Sequence, residues 1–208
     1  MPKKYSVAIV LFEEFEVLDV FGPIEMLGMY PEMFDLHLVA QQAGEISSAQ
    51  GPRSVVDAEF SDPFQYDILL VPGGRGTRRE VDNHVILKWL ESQSKSASFI
   101  TSVCTGSAVL AKAGILDGVR ATSNKMSFEW VTTQGPNVEW ISQARWVEDG
   151  NIFTSSGVSA GMDMTLALIN RILDRKSSDD AALWAEYSWH TDPGRDPFAK
   201  AWGLVDDC

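Results

Sequence analysis

The sequence predicts an α/β fold in which a mostly parallel sheet is covered by helices on both faces. Three observations carry that reading. Apolar runs of strand length alternate with helical patterns along the 208 residues. The first run, Tyr5 to Phe12, is continuously apolar, as expected of a strand buried on both faces. The stretch from Phe99 to Gly114 reads as a buried strand, one cysteine, and a helix of small residues that stops at glycine.

The elements follow in order. After the first strand, Val17-Leu18-Asp19-Val20-Phe21-Gly22-Pro23 forms a loop. Pro23 is placed as the first residue of a helix reaching Met29. Asp35 to Val39 is a second strand. Asp67 to Val71 is a third, stopped by Pro72, Gly73 and Gly74. Val81, Val85, Ile86, Trp89 and Leu90 make the apolar stripe of a helix. The strand Phe99 to Val103 then turns at Cys104 into the next helix. Val138 to Trp146 and Asn151 to Ser155 flank Glu148-Asp149-Gly150, a hairpin signal. An almost wholly apolar helix follows to Leu173, with Asp163 in its first turn, and another is expected from Ser178 to Tyr187. No repeat, linker or composition break divides residues 1–208, so one domain is expected, with 188–208 as a C-terminal wrap.

Composition narrows the function classes. With 45% hydrophobic residues the chain can bury a core without disulfides or metals. A net charge of −12 argues against a nucleic-acid surface, which needs a basic footprint. Cys104 and Cys208 are the only cysteines, and the second is the last residue, so a reducing cytoplasmic setting is expected. The apolar run after Lys3 and Lys4 is too short for a membrane span.

Cys104 stands at the carboxyl end of a strand and directly before a helix N-terminus. Unpaired amides and the helix dipole favour negative charge there, so the thiol is expected to ionise easily and act as a nucleophile. The layout is that of a nucleophile elbow without the Gly-x-Ser-x-Gly spelling. The plain alternative is a small apolar filler. In open sheets, sites form beyond the carboxyl ends of the strands, where the Asp19 loop, Gly73-Gly74-Arg75-Gly76 and the elbow should meet. There the glycines and the Thr105 amide are candidates for an oxyanion pocket. Asp19 lies among apolar residues, where burial would raise its pKa and make it a proton shuttle for the thiolate.

Together these motifs resemble the ThiJ/PfpI superfamily. They are the exit Leu18 to Glu25, the Pro72-Gly73-Gly74 turn, the Val103-Cys104-Thr105-Gly106-Ser107 elbow, and Gly150 to Asp163. The Leu-Asp-x-x-Gly-Pro exit and Cys-Thr-Gly-Ser elbow are most similar to the isocyanide hydratase branch. A related branch fuses this domain to a helix-turn-helix regulator, a module this chain is expected to lack. The resemblance implies a flavodoxin-like three-layer sandwich, homodimeric, acting on a small molecule with no metal or organic cofactor. Carried over by position, Cys104 is the nucleophile and Asp19 the acid, with Gly74 and Thr105 as oxyanion donors and Gly73 beside them.

One departure matters. Where many relatives have Thr-Thr-His-Trp, this chain has Thr122-Ser123-Asn124-Lys125, so a histidine partner for the cysteine is missing. Asn124 is a candidate to hold substrate or water, with a contact internal to the fold as the alternative. The loss argues against a peptidase-like Cys-His pair. Three functions stay open: an isocyanide hydratase-like lyase, a glyoxalase- or deglycase-like enzyme, and a non-enzymatic cysteine oxidation sensor.

Overall fold

A computed structural model describes residues 3–205 of the chain. Its elements in chain order are β1 (Tyr5–Val10), α1 (Val17–Gly28), β2 (Phe34–Ala40), β3 (Glu45–Ser47), β4 (Arg53–Val55), β5 (Ala58–Glu59) and β6 (Ile68–Val71). There follow α2 (Thr77–Glu80), α3 (His84–Ser94), β7 (Phe99–Ser102), α4 (Gly106–Lys112), β8 (Arg120–Ala121), α5 (Phe128–Thr132) and β9 (Glu139–Trp140). The chain closes with β10 (Trp146–Asp149), β11 (Ile152–Ser155), α6 (Ala160–Ile172), α7 (Arg175–Trp184) and α8 (Phe198–Ala201). Cys208 lies outside the described residues.

Seven strands form the central sheet in the order β10-β11-β7-β6-β1-β2-β5. All pair in parallel except the β10–β11 hairpin. Central β1 pairs with β2 and β6, and its Val7, Ala8, Ile9 and Val10 are fully buried. Helices α1, α6 and α7 pack against one another on one face, and α2, α3, α4 and α5 gather on the other. This is the flavodoxin-like sandwich, and its continuous apolar strands are what two covered faces require. No helix among the described residues is long and apolar enough to cross a membrane.

The strand order reverses between β1 and β6: the chain first builds outward through β2, then returns to build through β6 and β7. The crevice at such a reversal is where open sheets bind ligands. It is bounded by the exits of β1 and β6, which carry Asp19 and Gly73.

Several boundaries differ from the sequence expectation. α1 begins at Val17, six residues before Pro23, which lies inside the helix. Asp19 is therefore in the first turn of α1 and not in a loop ahead of it. Pro23 is tolerated although it removes the amide that would bond the Asp19 carbonyl. The helix starts early because Gln50 Oε1, from another loop, accepts the Val17 N–H at 3.1 Å and satisfies an otherwise orphaned amide. The expected strand from Val138 to Trp146 is broken in two, with only Glu139–Trp140 and Trp146 onward in sheet. The hairpin itself turns at Gly150, whose φ is +62°. The last long helix starts at Arg175 because Asp174 caps it, accepting the Ser177 N–H at 2.7 Å.

The C-terminal stretch is tied down by buried charge. Arg145 Nε donates to Asp163 Oδ2 at 2.6 Å, both side chains being almost fully buried. Asp163 Oδ1 accepts from the Tyr187 hydroxyl and the His190 amide. Pro193 and Asp196 bond the backbone of Arg145 and Gln143.

The elbow rests on close backbone approach. A methyl on Gly106 would overlap the Val71 carbonyl of β6, and one on Gly161 would lie 2.7 Å from Val103 Cγ1. Gly106→Ala is expected to cost about 1–3 kcal/mol, the usual price of overpacking, measured by urea denaturation. Unchanged stability would show that β6 and α4 do not constrain each other.

Candidate active site

Cys104 joins β7 to α4 with φ at +55°, a left-handed conformation that non-glycine residues seldom adopt. The surroundings over-determine it. Its amide donates to the Ser156 carbonyl at 3.1 Å. Its carbonyl accepts from Ser123 Oγ at 2.9 Å and Ser107 Oγ at 3.3 Å. Such strain persists where neighbours hold it, and Cys104 stands in the wall of a cavity.

Asp19 is buried with no exposed surface. Oδ2 accepts the Gly73 N–H at 2.9 Å. Oδ1 is buried without a hydrogen-bond partner, while the carboxyl as a whole interacts with the Cys104 thiol. The contact is thus looser than a full hydrogen bond. Burial raises the Asp19 pKa to about 8, only partly offset by the Gly73 amide.

The expectation of an easily ionised Cys104 is not met. Burial pushes the thiol up, and a charged Asp19 would push it further. The Thr105 amide and hydroxyl pull it down, but the helix-terminus effect does not outweigh loss of solvent. Asp19 therefore gives up its proton before Cys104 does.

The glycines are present for space. A methyl on Gly73 would stand 2.6 Å from the Thr105 nitrogen and 2.8 Å from both Asp19 Oδ2 and Cys104 Cβ. Gly74, at φ +122°, lies against the backbone of Glu14 and Glu16. Its N–H donates to Thr105 Oγ1 at 3.2 Å and does not stand free. Its use as an oxyanion donor would require that hydroxyl to turn away. Thr77 Oγ1 braces the same turn, 2.7 Å from the Gly74 carbonyl and 3.0 Å from Thr105 Oγ1.

A cavity of about 400 Å³ opens in front of the sulfur, with Cys104, Gly74, Thr105 and Asn124 in its wall. That volume suits a small molecule. Asp19 and Gly73 are not in the wall. Asn124 Oδ1 accepts the Ser127 N–H at 3.0 Å, so one end of its amide is occupied within the fold. Lys125 turns inward to Thr122 Oγ1 and the Ala144 carbonyl, and burial lowers its pKa to about 8.

None of the three histidines lies in the cavity wall: His37 pairs with Asp35, His84 opens α3, and the His190 amide bonds Asp163. Among the described residues no group of three or more His, Cys, Asp or Glu is placed to hold a metal. Sequence reasoning missed Glu16, Arg78, Ser127 and Val158, all in the wall. Arg78 had a signal in the basic run Arg75-Gly76-Thr77-Arg78-Arg79. Val158, a β-branched residue at φ +49°, had none.

Fold and elbow together define a doubly wound α/β protein with cysteine at the strand-to-helix turn. The chain belongs to the DJ-1/PfpI family, whose description matches residues 5–171. It is 32% identical over 183 residues to the isonitrile hydratase of Pseudomonas putida, covering 88% of this chain and 78% of that one. It is 29% identical to the HTH-type transcriptional regulator GbdR of Pseudomonas aeruginosa, over 83% of this chain but only 48% of the regulator. A crystal structure of a ThiJ/PfpI family protein from Pseudomonas syringae superposes with a TM-score of 0.82 at 29% identity, covering 90% of this chain and 77% of that one. Enzymes and regulators thus both stand among the proteins this chain is similar to.

The raised Asp19 pKa has a stability consequence. Between about 4 and 8 the native protein keeps a proton that the unfolded chain has released, so this group's contribution to stability falls as pH rises through that window. Asp19→Asn, which cannot ionise, should gain on the wild type between pH 5 and 8 by up to about 1.4 kcal/mol per unit. Urea melts at several pH values measure this, and a difference that does not change with pH would refute the raised pKa.

Proposed function

We propose that the chain is a cysteine-dependent hydratase of small isocyanides, converting isocyanide and water into an N-substituted formamide. The observation that supports this most is an acid kept protonated near neutrality against the nucleophile, with no histidine in the cavity to serve as base. Isocyanide hydration needs that arrangement: a nucleophile for the terminal carbon and a proton for the same atom. The similarity to an isonitrile hydratase supports the substrate class.

The reacting form is the minor one in which the Cys104 proton has left and the thiolate stands beside a still-protonated Asp19. Cys104 Sγ bonds the terminal carbon, which takes the Asp19 proton, giving a thioimidate and a carboxylate. Water adds across the carbon–nitrogen double bond, its hydroxyl to carbon and a proton to nitrogen. The carbon–sulfur bond then breaks, the hydroxyl proton passes to Asp19, and formamide leaves with thiolate and acid restored. The Thr105 amide and hydroxyl stabilise the sulfur whenever it is charged. Asp19, which interacts with the Cys104 thiol, is the proton donor to the carbon bonded to sulfur and the acceptor for the hydroxyl on that carbon. The same reading takes the protein as a cytoplasmic homodimer needing no metal or organic cofactor.

A non-enzymatic role is the second reading, favoured by the similarity to a transcriptional regulator. A panel of cyclohexyl isocyanide and methylglyoxal separates the cases. Isocyanide turnover is expected in the wild type and should vanish in Cys104→Ser. Asp19→Asn should lower kcat/KM by about 10²–10⁴-fold, the usual worth of a positioned acid. Methylglyoxal turnover alone would transfer the assignment to a glyoxalase. Silence on both, with Cys104 oxidised quickly by peroxide, would establish the sensor reading instead.

A further inference from the structure

Arg78 is the charged group that the proposed reaction leaves unexplained. It projects from α2 into the wall of the Cys104 cavity. Its guanidinium carbon lies 3.3 Å from the centre of the Trp130 ring. Nη2 reaches Ser127 Oγ at 3.3 Å and Nη1 reaches Thr77 Oγ1 at 3.4 Å. Both contacts are long and leave most of its five N–H donors unused.

Acidic residues outnumber basic ones by 29 to 17 in this chain. Among the described residues Arg78 nevertheless has no carboxylate within ion-pair distance, although its neighbour Arg79 pairs with Glu14. Stacking on an aromatic ring fixes the guanidinium plane and leaves its fork free for bidentate binding, a geometry that suits a carboxylate. Arg75 stands in the same wall and also lacks an ion-pair partner among the described residues. Arg78 and Cys104 stand in the wall of the same cavity, so an anion on Arg78 would lie close to the nucleophile. One acid, Glu16, is in the wall, held by Gln50 Nε2 at 2.6 Å. Its charge disfavours a ligand carrying two negative charges.

We propose that this cavity takes a small monoanion, a substrate bearing one carboxylate that docks on Arg78 while its electrophilic carbon faces Cys104. The inference names the substrate class of the site proposed above and rests on Cys104 being its nucleophile. Isocyanides carrying a carboxylate on a short chain fit it better than neutral ones.

The test uses alkylation, which needs no turnover. The full chain is treated with iodoacetate and with iodoacetamide, and modification of the Cys104 peptide is followed by mass spectrometry. In either reaction a carbon–sulfur bond forms, iodide leaves and the thiol proton passes to solvent. Glutathione supplies the intrinsic ratio of the two rates. The wild type should favour iodoacetate over iodoacetamide by at least about tenfold more than glutathione does, as expected for one charge-assisted contact. Arg78→Gln should return the ratio to that of glutathione, and Arg78→Lys should fall between. Propionate should slow iodoacetamide in the wild type, a result that does not depend on the variants folding.

A wild-type ratio equal to that of glutathione, or a raised ratio that Arg78→Gln leaves unchanged, would overturn the inference. A raised and Arg78-dependent ratio in a protein inert toward isocyanides would uphold the anion site and reject the hydratase. No reaction of Cys104 with either reagent would reject both.

Discussion

The contact on which the rest of the site depends is the approach of the β6 exit to the β7 elbow, with Asp19 closing it from β1's side. Gly73 sits so near Thr105, Cys104 and Asp19 that no side chain fits, and its amide is given to Asp19 Oδ2. Gly106 lies against the Val71 carbonyl at the same junction. Three parallel strands therefore end within reach of one another, where the strand order reverses. A buried carboxyl, a strained cysteine and a helix start are the products of that convergence.

Burial then decides the chemistry. A helix N-terminus favours a thiolate, yet removing Cys104 and Asp19 from water disfavours charge on either, and the second effect is larger here. At neutral pH both groups keep their protons, and Asp19 is the first to lose one. A substrate that accepts a bond from sulfur and a proton from carboxyl moves the negative charge from Cys104 to Asp19. In a chain of net charge −12, Arg75 and Arg78 outnumber the single acid Glu16 in the cavity wall, so the cavity differs in sign from the protein around it.

Much of this was legible in the sequence because it is local. The apolar run of β1, the Pro72-Gly73-Gly74 exit and the abrupt passage from Val103 through Cys104 into Gly106 each carry their own cause, and a parallel sandwich follows from their alternation. The start of α1 was not legible, because the group satisfying its first amide is Gln50, from another loop. The Cys104 pKa departs from the sequence expectation for a related reason: the dipole is local, whereas burial is a property of the whole fold. Arg78 was visible as part of a basic run, but Trp130, 52 positions away, gives its side chain a defined direction. Val158 shows its backbone strain only in three dimensions.

The central claim is that Asp19 is a neutral acid against Cys104 at physiological pH. Infrared difference spectroscopy on carboxyl-labelled protein, wild type minus Asp19→Asn, reads that protonation directly. The account predicts a protonated carboxyl band present at pH 7 and lost around pH 8. A carboxylate signature already complete at pH 5 would contradict it, leaving Cys104 without the proton donor that the proposed reaction requires.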